Sequence, residues 1–202
     1  TGVPGPAIPD ATLAVPDSVR RGARAKLAEA GLDGGPFAAA HVASFAHEAK
    51  RWPEERFAAL FAHLHEERGL PVVLLGSAAE AAMNARVAAL AAPAHVVDLA
   101  GRTSLADVLG LVAEAELFVG NDSGLAHLSN AAGTPTTVAF GPTDPDATRP
   151  WDGPRPDGKP VSLRIARNRV PCAPCRFKRC PLDHACMTGL DLGLDQGSGL
   201  VL

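Results

Sequence analysis

The sequence predicts an α/β protein: a doubly wound, mainly parallel sheet covered by helices, followed by a Cys-rich C-terminal segment. Short apolar runs alternate with stretches of helical periodicity from about residue 37 to about residue 140. The runs are continuously apolar rather than alternating in polarity, which marks strands covered on both faces. Gly or Pro stands at many of the transitions, where helices must stop and turns must form.

Taken in order, residues 1 to about 20 are Pro-rich and lack periodicity, as in an incoming linker. Val19 to Ala30 reads as an Arg-rich helix stopped by Gly31, and Phe37 to Ala43 as a buried strand of small residues. Trp52-Pro53-Glu54-Glu55 has the marks of a helix start, because Pro suits the first turn and acids suit the positive end of the dipole. Phe57, Leu60, Phe61 and Leu64 then form one apolar face, and Gly69 ends the helix after Arg68. Pro71 to Leu75 is a strand, Glu80 to Ala91 a helix and His95 to Asp98 a strand. Ser104-Leu-Ala-Asp107 resembles a capping box ahead of Leu105, Val108, Leu109 and Val112. Leu117 to Val119, Leu125 to Ala132 and Thr136 to Phe140 complete the alternation as strand, helix and strand, with Gly133 past the helix end. Pro142 to Pro160 reads as a long loop, and Val161 to Ala166 as one more strand. The chain therefore divides into a linker and leading helix over 1–36, an α/β domain over 37–166 and a Cys-cluster tail over 167–202.

With 202 residues the chain can bury a core, and a net charge of −3 without any Lys/Arg run argues against nucleic acid as a partner. No apolar run reaches the length of a membrane span, and Thr1 to Pro6 lacks the basic and apolar regions of a signal peptide. A cytoplasmic protein is expected, and the absence of an initiating Met suggests a fragment.

The segment Gly120-Asn-Asp-Ser-Gly-Leu-Ala-His127 reads as a strand end, a polar turn and a helix N-terminus. Such a turn aims free N–H groups and a helix dipole at one spot, as phosphate binding requires. Asp122 and Ser123 equally suit ordinary N-caps, His127 a satisfied imidazole and Lys50 a solvated surface. No Gly-x-Gly-x-x-Gly follows a strand, no P-loop occurs, and Asn121 and Leu125 break a hydrolase elbow around Ser123. A Ser123, His127 and Asp122 triad is disfavoured, since neighbours in one turn rarely supply its geometry. Cys172, Cys175, Cys180 and Cys186, with His184 between the last two, have the residue types of a structural zinc site. An iron–sulfur cluster fits the spacing less well, and four reduced, packed thiols are the alternative.

Lys50-Arg-Trp-Pro53, Gly120 to His127, Gly141-Pro-Thr-Asp-Pro145 and the Cys172 to Cys186 cluster, in that order, resemble glycosyltransferase family 9, the lipopolysaccharide heptosyltransferases. The resemblance spans about residue 37 to about residue 188. It implies a GT-B architecture of two Rossmann-like halves, of which this sequence matches the C-terminal, donor-binding half. It further implies that Lys50, Asp122, Ser123, Gly124 and His127 hold the diphosphate and sugar of an ADP-sugar, with Ser123 where Thr is usual. Ser44 lies near the family's hydroxyl residues after the first strand. Glu80 lies near the nucleotide ribose or base, although a helix-start acid is an equal reading. The implied reaction is inverting transfer of heptose from ADP-heptose to a lipopolysaccharide core acceptor, with no cofactor required for catalysis. The general base is expected in the N-terminal half, so no catalytic residue is assigned here. The implied location is the cytoplasm, at most peripherally at the inner face of the inner membrane. A non-catalytic, zinc-stabilised nucleotide-binding or interaction module is the alternative.

Overall fold

The computed structural model describes residues 11–32, 34–44, 47–155, 158 and 162–192. The first ten residues of the expected linker, Val161 of the expected last strand and the end of the tail lie outside the described residues. The remaining elements follow the sequence pattern closely.

Helix α1 (Asp17–Glu29) is followed by β1 (Ala38–His41), α2 (Glu54–Arg68) and β2 (Val72–Leu74). Then come α3 (Ala81–Leu90), β3 (Val96–Asp98), α4 (Leu105–Glu114), β4 (Leu117–Asn121), α5 (Gly124–Ala132) and β5 (Thr136–Phe140). A single turn α6 (Pro145–Thr148), β6 (Leu163–Arg167) and a second turn α7 (Ala185–Thr188) complete the order. The two short turns were not expected from the sequence: α6 is made by Asp144, whose carboxylate accepts from the Asp146 N–H, and by Pro145 in the first turn. The capping box of Ser104 and Asp107 is present as predicted. Gly69 and Gly133 both adopt the left-handed conformation that terminates α2 and α5.

All strands are parallel and lie in the order β3-β2-β1-β4-β5-β6. Sequence order runs outward in one direction from β1 and in the other from β4, so the switch point lies between those two strands. Alternate residues of each strand point to opposite sides, and the four inner strands are buried on both, while the edge strands β3 and β6 are mostly half-buried. Ala38, Ala40, Val42, Val72, Leu74 and Val119 meet α2 through Phe57, Leu60, Phe61 and Leu64. Ala39, Val73, Leu75, Phe118 and Val138 meet α1, α4 and α5 on the other side.

The leading helix and the tail both belong to this packing. Ala23 and Leu27 of α1 sit in the core with Val108, Leu111 and Val112 of α4. Met187, Leu190 and Leu192 join the core beside Trp52, whose indole N–H donates to the Leu190 carbonyl at 3.1 Å. Leu105, expected on the buried face of α4, is instead 73% exposed, because it stands at the first helical position where α4 overhangs a cavity.

The α1–α4 contact depends on Gly110, where an added Cβ would lie 2.6 Å from the Val19 carbonyl oxygen and 2.8 Å from Ala23 Cβ. Overpacking costs about 1–3 kcal/mol, against about 1 kcal/mol of helix propensity gained by replacing Gly. Gly110→Ala is therefore expected to lower stability by about 1 kcal/mol, read as a lower urea midpoint at unchanged slope; a higher midpoint would show that the helices part freely.

Candidate functional site

The site lies where the carboxyl ends of β1 and β4 meet, the place at which doubly wound sheets bind ligands. His41 ends β1 in register with Gly120. Close approach demands glycine there, since a Cβ on Gly120 would stand 2.9 Å from the His41 carbonyl oxygen. The next residue, Asn121, is fully buried and ties the two strand ends together. Its amide oxygen accepts from the Trp52 N–H at 2.9 Å, and its amide nitrogen donates to the carbonyls of Val42 and Ala43 at 2.9 and 3.3 Å. These bonds fasten the loop that carries Ser44 and Lys50 to the strand that carries Asp122.

Beyond this clamp lies a cavity of about 540 Å³. Ser44, Lys50, Glu80, Asp122, Ser123 and Gly124, all expected site residues, line it together. His127 does not: it is exposed, one turn further along α5 and outside the lining residues. The Lys50 ammonium meets the Asp122 carboxylate at 2.8 Å, and the same carboxylate oxygen accepts from the Thr143 hydroxyl at 2.7 Å. Ser123 occupies the N-cap of α5 but makes no cap bond. Its hydroxyl is paired with His41 Nδ1 at 3.1 Å instead, so the start of α5 lacks the side-chain oxygen that an N-cap Ser usually supplies. Space surrounds Gly124, where no atom would come within 4 Å of an added Cβ.

On the opposite wall Glu80 closes a capping box with Ser77, accepting from its N–H at 2.6 Å and its hydroxyl at 2.9 Å. The other carboxylate oxygen faces His41 Nε2 at 3.4 Å. Glu80 is thus a helix-start acid that also lines the cavity. The His41 ring, with the Ser77 N–H and hydroxyl, holds its carboxyl down at about 2 against the opposing effect of burial.

His41 and Thr103 line the cavity and Thr143 reaches it through Asp122, and none of the three was singled out from the sequence. His41 is the polar residue at the end of an apolar run, a signal that was present but unused. Thr143 lies inside the Gly141 to Pro145 motif. Thr103 precedes the α4 capping box and has a buried hydroxyl without a hydrogen-bond partner among the described residues, facing the cavity's side of α4.

The cysteines are all free. Cys186 is buried, and burial together with the nearby thiols of Cys180, Cys175 and Cys172 pushes its own thiol up to about 11. Among the described residues no three His, Cys, Asp or Glu side chains are arranged to hold a metal ion. His184 Nε2 is occupied by the Ala49 carbonyl at 2.7 Å.

Because the Glu80 carboxyl is depressed below its ordinary 4.5, its contribution to stability is complete above that pH and is lost as pH falls toward about 2. Glu80→Gln should therefore remove on the order of 2 kcal/mol of the acid-induced loss in that window. Denaturant midpoints of both proteins between pH 2 and 6 measure it, and parallel curves would contradict the assignment.

The model of glycosyltransferase family 9 (heptosyltransferase) matches residues 8–186, most of the chain. Lipopolysaccharide heptosyltransferase 2 of Escherichia coli K12 is 42% identical over 105 residues, which cover 50% of this chain and 30% of that protein. Lipooligosaccharide heptosyltransferase 2 of Campylobacter jejuni serotype O:2 is 33% identical over 144 residues, covering 70% of this chain and 43% of that protein. Among solved structures, E. coli ADP-heptose LPS heptosyltransferase II aligns with a TM-score of 0.65 and 25% identity, over 85% of this chain and 49% of that one. E. coli heptosyltransferase WaaC with ADP aligns with a TM-score of 0.56 and 28% identity, over 71% and 41% of the two chains. The chain thus spans less than half the length of these relatives. The ordered motifs, the doubly wound sheet and these matches lead to one conclusion: the chain belongs to glycosyltransferase family 9, the heptosyltransferases.

Proposed function

We propose that this chain is the donor-binding half of an inverting glycosyltransferase that moves heptose from ADP-heptose to a lipopolysaccharide core acceptor. The observation that carries the reading is the start of α5, which opens on the cavity with its N-cap serine turned away to His41. A diphosphate placed there meets backbone N–H groups and the positive end of the helix dipole. Lys50 lies within reach and exchanges Asp122 for the anion. Leu105, Val108 and Leu125 supply an apolar wall suited to a planar base, while Glu80 offers an ionised acceptor for ribose hydroxyls. Support also comes from the relative solved with ADP. His127 is assigned to the outer edge of the donor.

Cleavage of the glycosidic bond leaves negative charge on ADP, and the α5 terminus and Lys50 stabilise that charge as it develops. The acceptor hydroxyl must lose its proton to a general base. We assign that base, and the acceptor site, to the other half of the enzyme, which acts at the inner face of the membrane that carries the acceptor. Among the described residues no helix is long and apolar enough to cross a membrane.

Calorimetry with ADP, ADP-heptose and NAD tests the reading. ADP-heptose should bind more tightly than NAD, and Lys50→Ala should weaken it about 10- to 100-fold, as loss of a charge-assisted hydrogen bond implies. His127→Ala should weaken it less. Equal binding of NAD, or an unaffected Lys50→Ala, would sink the donor-site assignment.

For the cysteine cluster we propose a structural zinc held by Cys172, Cys175, Cys180 and Cys186. What supports it is the set of four thiols on one strap, close enough to act on the Cys186 thiol. The described arrangement is not a metal geometry, so binding requires the thiols to close on the ion. Metal analysis of chelator-washed protein should return one zinc per chain; substoichiometric zinc with four titratable thiols removes the proposal.

A further inference from the structure

His41 is only 5% exposed, yet it touches both walls of the cavity. Its Nδ1 pairs with the Ser123 hydroxyl at 3.1 Å and its Nε2 faces the Glu80 carboxylate at 3.4 Å. A carboxylate only accepts, so Nε2 carries a hydrogen. The state of Nδ1 then decides what Ser123 presents to the cavity. In the neutral ring Nδ1 is an acceptor, the Ser123 hydroxyl donates to it, and only oxygen lone pairs face an incoming anion. In the imidazolium Nδ1–H donates to Ser123 Oγ, and the hydroxyl hydrogen is released toward the cavity. An anion at the start of α5 repels the first arrangement and accepts a hydrogen bond from the second.

We propose that binding of the donor's diphosphate is coupled to uptake of one proton by His41, which turns the Ser123 hydroxyl from the ring to the ligand. This rests on the donor-site reading above. The neighbouring charges favour it. Glu80, on the turn after β2, already faces the ring, and Lys50, on the loop after β1, is neutralised by Asp122 at the end of β4. His47 is the other titratable group on the β1 loop that lines the cavity, while α4 contributes only the uncharged Ser104, Leu105 and Val108. When Lys50 turns to the diphosphate it leaves the Asp122 carboxylate behind, so that pair contributes no net charge and the diphosphate adds negative charge beside an imidazole that already faces Glu80. His41 acts here as a positioning residue, touching the ligand only through Ser123.

ADP-ribose is a suitable probe, because its diphosphate is a diester and carries no group that titrates near neutrality. Calorimetry in buffers of differing ionisation enthalpy, from pH 6 to 9, should show net proton uptake approaching one per ligand within this range. The affinity should fall up to tenfold per pH unit where the uptake is largest. His41→Gln should bind with little uptake and a flat pH profile, whereas His47→Gln should keep the uptake. Nitrogen-15 spectra of the wild-type histidine rings should show one ring passing from the Nε2–H tautomer to imidazolium on ligand addition, a readout that does not depend on a variant folding. Binding without proton uptake at any pH, or uptake that survives in His41→Gln and vanishes in His47→Gln, overturns the coupling while leaving the donor site standing. Failure of ADP-ribose to bind at all overturns both.

Discussion

The buried amide of Asn121 holds the site together, and most of what surrounds it follows from that one side chain. A parallel sheet leaves the carboxyl ends of adjacent strands open at the switch point, because the connections from β1 and β4 depart in different directions. Backbone groups in such a crevice need partners once water is excluded. Asn121 supplies three, accepting from Trp52 and donating to Val42 and Ala43. Its amide is therefore satisfied on both sides, and the loop after β1 is carried by the end of β4. This attachment places Lys50 beside Asp122, where the two meet at 2.8 Å with little exposure to solvent.

Packing reinforces the same point. Trp52 follows Lys50 by two residues, sits against Phe57 with ring centroids 4.9 Å apart at 81°, and donates to Leu190 from the tail. The cysteine segment is consequently anchored to the core at Met187, Leu190 and Leu192, close behind the loop that carries Lys50. The central strand β1 consists of Ala38, Ala39, Ala40 and His41, and its small residues leave room for large rings from neighbouring elements: Phe57 and Phe61 on one side, and Phe118 on the other. Such a strand combines poor intrinsic β propensity with complete burial, which shows tertiary context overriding local preference.

Electrostatically the cavity is a set of partnerships waiting for exchange. Lys50 is paired with Asp122, Ser123 with His41, and Glu80 with Ser77 and His41. The charged groups named here are all partnered, while the buried Thr103 hydroxyl in the lining is not, and each pairing has a member that can turn to an anion. Binding then replaces one hydrogen bond by another, which keeps the reorganisation small.

Periodicity and turn chemistry are local properties, and for that reason the alternation of strands and helices, the Ser104 capping box, the αL stops at Gly69 and Gly133 and the apolar face of α2 were all legible in the chain itself. The ordered motifs around Lys50, Asp122, Ser123 and Gly124 were legible too, since a strand end followed by a helix start leaves a recognisable mark. Partners were not. Whether Ser123 caps its own helix or turns to His41, 82 residues away in sequence, depends on strand order, which no local pattern encodes. His41 came to line the cavity, Thr143 came to bond Asp122, and His127 was left outside the lining, for the same reason: the register of parallel strands decides which strand ends converge. Local chemistry along the chain was enough to mark the elements and the residue types able to bind an anion. Which of those residues share a cavity came from the fold, because long-range strand pairing sets distances that spacing along the chain does not.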